Sequence, residues 1–136
     1  HGLSDLYREI AERFANEGFF ALALDPYSRE GKPTLSNLSE INEFLAGLDD
    51  AQLLGDIAGA GRFLRSRLEV RKIAIGVTGF CMGGQFALLA ACSQPEFAAC
   101  VSFYGMLRYE RPMAKRPHSP LDLAPSLHCP YLGLFG

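Results

Sequence analysis

Apolar positions fall into two patterns that alternate along the chain. Leu6, Ile10 and Phe14 recur every four residues, with Leu3, Ala11 and Ala15 beside them, which lines one face of a helix. Ser4 is placed to cap that helix, Asp5 puts negative charge in its first turn, and Gly18 is its expected stop. Phe19–Leu24 is apolar without alternation and has strand length, so it predicts a strand buried on both faces and ended by Asp25-Pro26. A polar loop over 28–37, with Gly31 and Pro33, precedes a short helix expected from Ser39 to about Ala46, stopped by Gly47. Asp49 is placed to cap a longer helix reaching about Leu68, with Leu53, Leu54, Ile57, Gly61 and Leu64 at helical spacing. Gly55, Gly59 and Gly61 weaken it by about 1 kcal/mol each relative to Ala. Close packing against a sheet would explain residues so small.

The second half repeats the alternation more tightly. Lys72–Val77 predicts a buried strand running through Thr78 and Gly79 into Phe80-Cys81-Met82-Gly83-Gly84. A helix follows over Gln85–Ser93, then a strand over Ala98–Phe103 closed by Tyr104-Gly105. Residues 106–128 are an irregular stretch holding Pro112, Pro117, Pro120 and Pro125, and Pro130–Phe135 is the last strand. The order α-β-α-α-β-α-β-loop-β predicts an α/β fold, a three-layer α/β/α sandwich on a mostly parallel sheet. Residues 1–136 form one partial domain in this reading. The chain opens on His1 and closes on a strand, Tyr131 to Gly136, without cap or tail, so truncation at both ends is expected.

Composition narrows the function classes. Hydrophobic residues make up 49% and charged residues 21%, which argues against disorder. A net charge of −2 gives no electrostatic case for nucleic acid or an anionic membrane as partner. No apolar run approaches the roughly 18 residues of a membrane span, and no signal peptide is visible. The four cysteines, Cys81, Cys92, Cys100 and Cys129, form no C-x-x-C pair, which disfavours zinc and thioredoxin-like chemistry. A reducing, cytoplasmic compartment is expected, with no metal and no organic cofactor.

One segment carries chemistry. Gly79-Phe80-Cys81-Met82-Gly83 lies between a buried strand and a helix, the context in which G-x-nucleophile-x-G has mechanical meaning. The nucleophile would sit on a strained turn, with glycines at minus two and plus two, Gly79 and Gly83, removing Cβ clashes and Gly84 following them. The Met82 N–H would point at a developing oxyanion, and a helix N-terminus favours a thiolate there. A buried structural cysteine in a glycine turn is the competing reading; the strand before and the helix after favour the nucleophile. Cys92 and Cys100 read as packing residues.

In this order the segments resemble the dienelactone hydrolase family, over nearly the whole chain. The resemblance rests on His1-Gly2-Leu3 before a helix, on Glu17-Gly18-Phe19-Phe20-Ala21-Leu22-Ala23-Leu24-Asp25, and on Gly55-Asp56. It rests further on the Gly79–Gly84 elbow, where that family often carries Cys, and on Phe103-Tyr104-Gly105. It implies an α/β-hydrolase fold and a Cys-His-Asp triad that opens small-molecule esters or lactones. Cys81 would be the nucleophile, and the oxyanion would rest on the Met82 N–H and an N–H from the first loop.

The family pattern also marks departures. The triad Asp and His follow the nucleophile in chain order and would lie beyond Gly136. The family's Glu, two positions before the residue that His1 matches, and the residue supplying the second oxyanion N–H both fall before His1. Asp122, His118 and His128 read as loop residues. Enzymes acting on dienelactone itself use an arginine from the helical stretch before the elbow, but no Lys or Arg occurs between Lys32 and Arg62. Asp25-Pro26-Tyr27 replaces the usual Asp-Leu-Tyr, and Arg29 reads as a solvated loop residue. Substrate-binding residues are therefore not assigned.

Two other readings stay open. Glutamine amidotransferases also place Cys on such an elbow, sometimes with Gln four residues later, as Gln85 stands here. Alternatively the chain is an inert fragment or a degenerate binding domain. A sheet lacking outer strands would leave edges that invite self-association.

Overall fold

The computed structural model describes residues 3–29, 31, 36–71, 74–111 and 113–136. The readings placed on His1, Gly2, Lys32, Pro33, Lys72, Ile73 and Pro112 lie outside the described residues. The chain divides into two compact units, His1–Gly47 and Leu48–Gly136.

In the first unit, α1 spans Asp5–Asn16. Ser4 occupies the N-cap position, but its side chain makes no capping bond. Gly18, at φ 86°, ends the helix as expected. Its N–H donates to the Ala15 carbonyl, and the Phe19 N–H donates to that of Phe14. This is the paired closure of a Schellman motif, sealed by the edge-to-face Phe14 and Phe19 rings 5.8 Å apart. The strand expected over Phe19–Leu24 does not form: the segment belongs to no sheet, and Phe19, Phe20, Leu22 and Leu24 are exposed. An apolar run supplies the faces of a strand, but the ladder needs a neighbour, and no described strand pairs with it. Helix α2, Leu38–Gly47, begins after Asn37, whose side chain accepts from the Glu40 N–H, so Asn37 caps it and Gly47 lies inside it.

The second unit carries the parallel sheet. Helix α3, Asp50–Ser66, is capped as expected by Asp49, whose carboxylate accepts from the N–H groups of Ala51 and Gln52. Strand β1 covers Ile75–Phe80, α4 Met82–Ser93, β2 Phe97–Phe103 and β3 Tyr131–Leu134. The sheet order is β1-β2-β3 with both pairs parallel. The strand before the elbow thus runs to Phe80, and α4 starts three residues earlier than its periodicity implied. The proline-rich stretch holds a short helix α5, Pro120–Leu123, and a 3₁₀ turn, Ala124–Ser126.

Helix α4 is buried from Gly84 to Cys92. Ile75, Ala90 and Phe97 form one core cluster, packed by Leu54, Ile57 and Leu64 from α3. Ala87, Ala91 and Cys100 form another, packed by Val77, Leu127 and Tyr131. The small side chains of α4 let it lie close on the sheet. Close packing does not account for two of the glycines in α3: nothing lies within 4 Å of a Cβ at Gly55, and at Gly59 only an arginine tip does. Gly61 alone faces Glu96 and Phe97.

Candidate active site

Strand β1 passes directly into α4 through Cys81. Its backbone stands at φ 54°, ψ −120°, one of two positive-φ residues other than glycine among those described. Such a conformation costs an L residue about 1–3 kcal/mol and persists only when the surroundings enforce it. Here the Cys81 N–H donates to the Phe103 carbonyl at 2.9 Å, and the Cys81 carbonyl accepts from the Gln85 N–H at 3.1 Å. One bond ties the residue to β2 while the other opens the helix, and the side chain is left exposed.

The glycines around it do different work from that expected. A Cβ on Gly79 would overlap the Gly83 carbonyl, so the minus-two glycine is required by sterics. At Gly83 nothing lies within 4 Å of a Cβ, which corrects the expected role of the plus-two glycine. The second close approach is at Gly84, where a Cβ would stand 2.7 Å from Ser102 Oγ and 2.9 Å from the Phe103 carbonyl oxygen. A Cβ on Gly105 would press on the same spot, 2.6 Å from the Gln85 nitrogen. Urea unfolding should therefore separate the variants. Gly84→Ala is expected to destabilise by about 1–3 kcal/mol through overpacking. Gly83→Ala should be neutral or gain up to about 1 kcal/mol of helix propensity. Equal losses at the two positions would contradict this assignment.

Beneath the first turn of α4 lies a buried polar network that periodicity did not reveal. Gln85 Nε2 donates to the Tyr109 hydroxyl at 2.8 Å, and that hydroxyl donates to Asp50 Oδ2 at 3.2 Å. Arg116 donates through Nε to Asp50 Oδ1 and through Nη2 to the Tyr109 oxygen, both at 3.1 Å. Its guanidinium lies 4.5 Å from the Tyr109 ring centroid. Burial pushes the Asp50 carboxyl above its ordinary value, against the opposing pull of Arg116 and Tyr109. Burial and the Asp50 charge push Tyr109 up to about 12. Gln85 is thus a core anchor.

The other candidates disperse. Asp122 Oδ2 accepts from the Ser119 N–H at 2.8 Å in a capping box, so its carboxylate is engaged in starting α5. His118 is exposed. His128 precedes β3, at the end of the parallel sheet opposite to Cys81, and its Nδ1 lies 3.2 Å from the Ser126 carbonyl. Cys92 and Cys100 are buried and Cys129 is half-buried. Burial raises all three thiols, Cys100 to about 12. Among the described residues no group of three or more His, Cys, Asp or Glu could hold a metal ion. No described helix is long and apolar enough to cross a membrane.

A model of the dienelactone hydrolase family matches residues 1–136. The chain is 39% identical over 132 residues to a Bradyrhizobium protein named "Probable 2-oxo-3-(5-oxofuran-2-ylidene)propanoate lactonase", covering 97% of this chain and 53% of that protein. It is 35% identical over 140 residues to the "Putative carboxymethylenebutenolidase" of Escherichia coli K12, covering 99% and 50%. The crystal structure of a "Putative Dienelactone Hydrolase" from Klebsiella pneumoniae aligns with a TM-score of 0.88 at 31% identity, over 97% of this chain and 55% of that one. The chain spans about half the length of the curated relatives it matches. Its fold is that of the α/β-hydrolases.

Proposed function

The chain belongs to the dienelactone hydrolase family, and on that premise we propose that it carries the nucleophile of an ester or lactone hydrolase, with Cys81 in that role. The observation that carries the reading is the backbone of Cys81, held at φ 54° between β1 and α4 with its side chain exposed.

The Cys81 thiolate attacks the acyl carbon, and the carbonyl oxygen becomes an oxyanion held by the Met82 N–H at the start of α4 and by a second N–H from an early loop. Collapse expels the alcohol oxygen, which takes a proton from the triad histidine, and leaves a thioester on Cys81. The histidine then draws a proton from water, whose attack releases the acid and restores the thiolate. In this reading the Asp and His of the triad lie outside residues 1–136. Lactones are the first substrates to try, after the name of the Bradyrhizobium relative. We place the protein in a reducing, cytoplasmic compartment.

Thiol labelling tests the nucleophile. With iodoacetamide at neutral pH, Cys81 should be alkylated at least about tenfold faster than Cys92, Cys100 or Cys129, because the thiolate is the reacting form and burial disfavours it at those three. Site-resolved mass spectrometry reads the rates, and labelling of Cys129 as fast as Cys81 would sink the assignment.

A second reading concerns the 136 residues by themselves: they form an inert scaffold, favoured by the engagement of Asp122 as a helix cap and by the remote position of His128. The chain alone should then show no ester turnover while Cys81 keeps its labelling advantage. We also propose that β1 and β3, the outer strands of the described sheet, let the isolated chain self-associate. Sedimentation at increasing concentration checks this, and a constant monomer mass would refute it.

A further inference from the structure

The two bonds that hold Cys81 in its strained backbone are both main-chain bonds, to Phe103 and to Gln85. Gly83 and Gly84 offer no side chain with which to fix the turn, and Gln85 follows them directly. Its N–H donates to the Cys81 carbonyl and so opens α4, while its buried side chain reaches the Tyr109 hydroxyl at 2.8 Å. Tyr109 is itself fixed from three directions. Its hydroxyl donates to Asp50 Oδ2 and accepts from Arg116 Nη2, and its N–H donates to Ser119 Oγ at 2.9 Å. Asp50 is the first residue of α3, and its N–H donates to the Lys115 carbonyl at 3.1 Å. The anchor under the first turn of α4 therefore joins α3 to the proline-rich stretch. A buried ion pair is weak evidence for stability, whereas polar contacts of fixed direction can hold one geometry.

We propose that Tyr109 is a positioning residue: through Gln85 it holds the first turn of α4 in place and keeps the Cys81 thiol presented for attack. The proposal rests on Cys81 as the nucleophile. A residue at φ 54° relaxes unless its surroundings prevent it, and the residue that closes the turn on Cys81 is held by Tyr109. A relaxed turn would carry the thiol away from the N–H groups of a helix start, which favour a thiolate.

Three variants separate positioning from support of the fold: Gln85→Met, Tyr109→Phe and the two combined. Gln85→Met breaks the link but leaves the Tyr109 hydroxyl bonded to Asp50 and Arg116, so urea unfolding should show little loss. Tyr109→Phe removes the bonds to Gln85, Asp50 and Arg116 together and should be clearly less stable than Gln85→Met. Alkylation of Cys81 by iodoacetamide, read by site-resolved mass spectrometry, should nevertheless slow by the same factor in all three, about fivefold for the loss of one hydrogen bond. Ile75→Val, a core change at the opposite end of β1 from Cys81, should leave the rate as it is. An unchanged rate in Gln85→Met would overturn the proposal. So would rates that follow the order of stability, Ile75→Val included, which would make Tyr109 a support of the fold alone. A double variant slowed by the product of the two single effects would also overturn it, since the two residues would then act independently. Failure of the nucleophile assignment shows separately, as the absence of any iodoacetamide preference for Cys81 in the native chain.

Discussion

Replacing Arg116 by alanine is expected to destabilise the chain by about 3–5 kcal/mol, because it strands the Asp50 carboxylate in the core. Both side chains are almost wholly buried, and the guanidinium bonds Asp50 and Tyr109 together. Asp50→Ala should cost a similar amount by stranding the guanidinium. The pair is not thereby a large net source of stability, since burial raises the Asp50 carboxyl despite its partners. A double replacement by apolar residues of similar size, Asp50→Leu with Arg116→Met, should cost much less than either single change. The pH dependence follows from the same shift. With its folded pKa raised, Asp50 favours the folded state fully below its unfolded value of 3.8, and that contribution is lost as pH rises through the folded pKa. Urea unfolding of the three variants between pH 3 and 7 checks both points, and a double variant as unstable as the sum of the singles would refute the first.

Replacing Cys81 by alanine is expected to lower ester or lactone hydrolysis by at least about three orders of magnitude in a protein that joins this segment to the triad Asp and His. The loss should fall on kcat, since the thiolate bonds to the substrate only during reaction and contributes little to its binding. Turnover of a chromogenic ester and of a lactone reads it. A loss below tenfold would mean that another group attacks the acyl carbon. The folded state should tolerate the change, because the Cys81 side chain is exposed and makes no capping bond.

Much of the site was legible because its geometry is local. Strand, Gly79-x-Cys81, and helix follow one another within about twenty residues, and the turn that strains Cys81 is written in that stretch. Helix α3 was equally legible through its cap, since Asp49 bonds N–H groups only two and three residues ahead. Where the signal depended on a partner, the reading failed. Phe19–Leu24 has the composition of a buried strand, but composition does not supply the neighbouring strand that a ladder requires. Periodicity starts α4 late because glycines carry none, although Met82-Gly83-Gly84 is already helical.

The sequence by itself determined the alternation of helices with parallel strands and the family, and it singled out Cys81 as the proposed nucleophile, all from contiguous residues or their order. Only the tertiary structure decided which glycines are indispensable, because the atoms that crowd Gly84 and Gly105 come from one another's elements and from Ser102. It alone revealed the Asp50–Arg116–Tyr109–Gln85 network, whose bonds join residues 66, 59, 24 and 7 positions apart. It alone tied the residue that closes the turn on Cys81, Gln85, to Tyr109. The physical reason is common to all three: burial and close approach are made by residues distant in sequence, and no local pattern records which of them will meet.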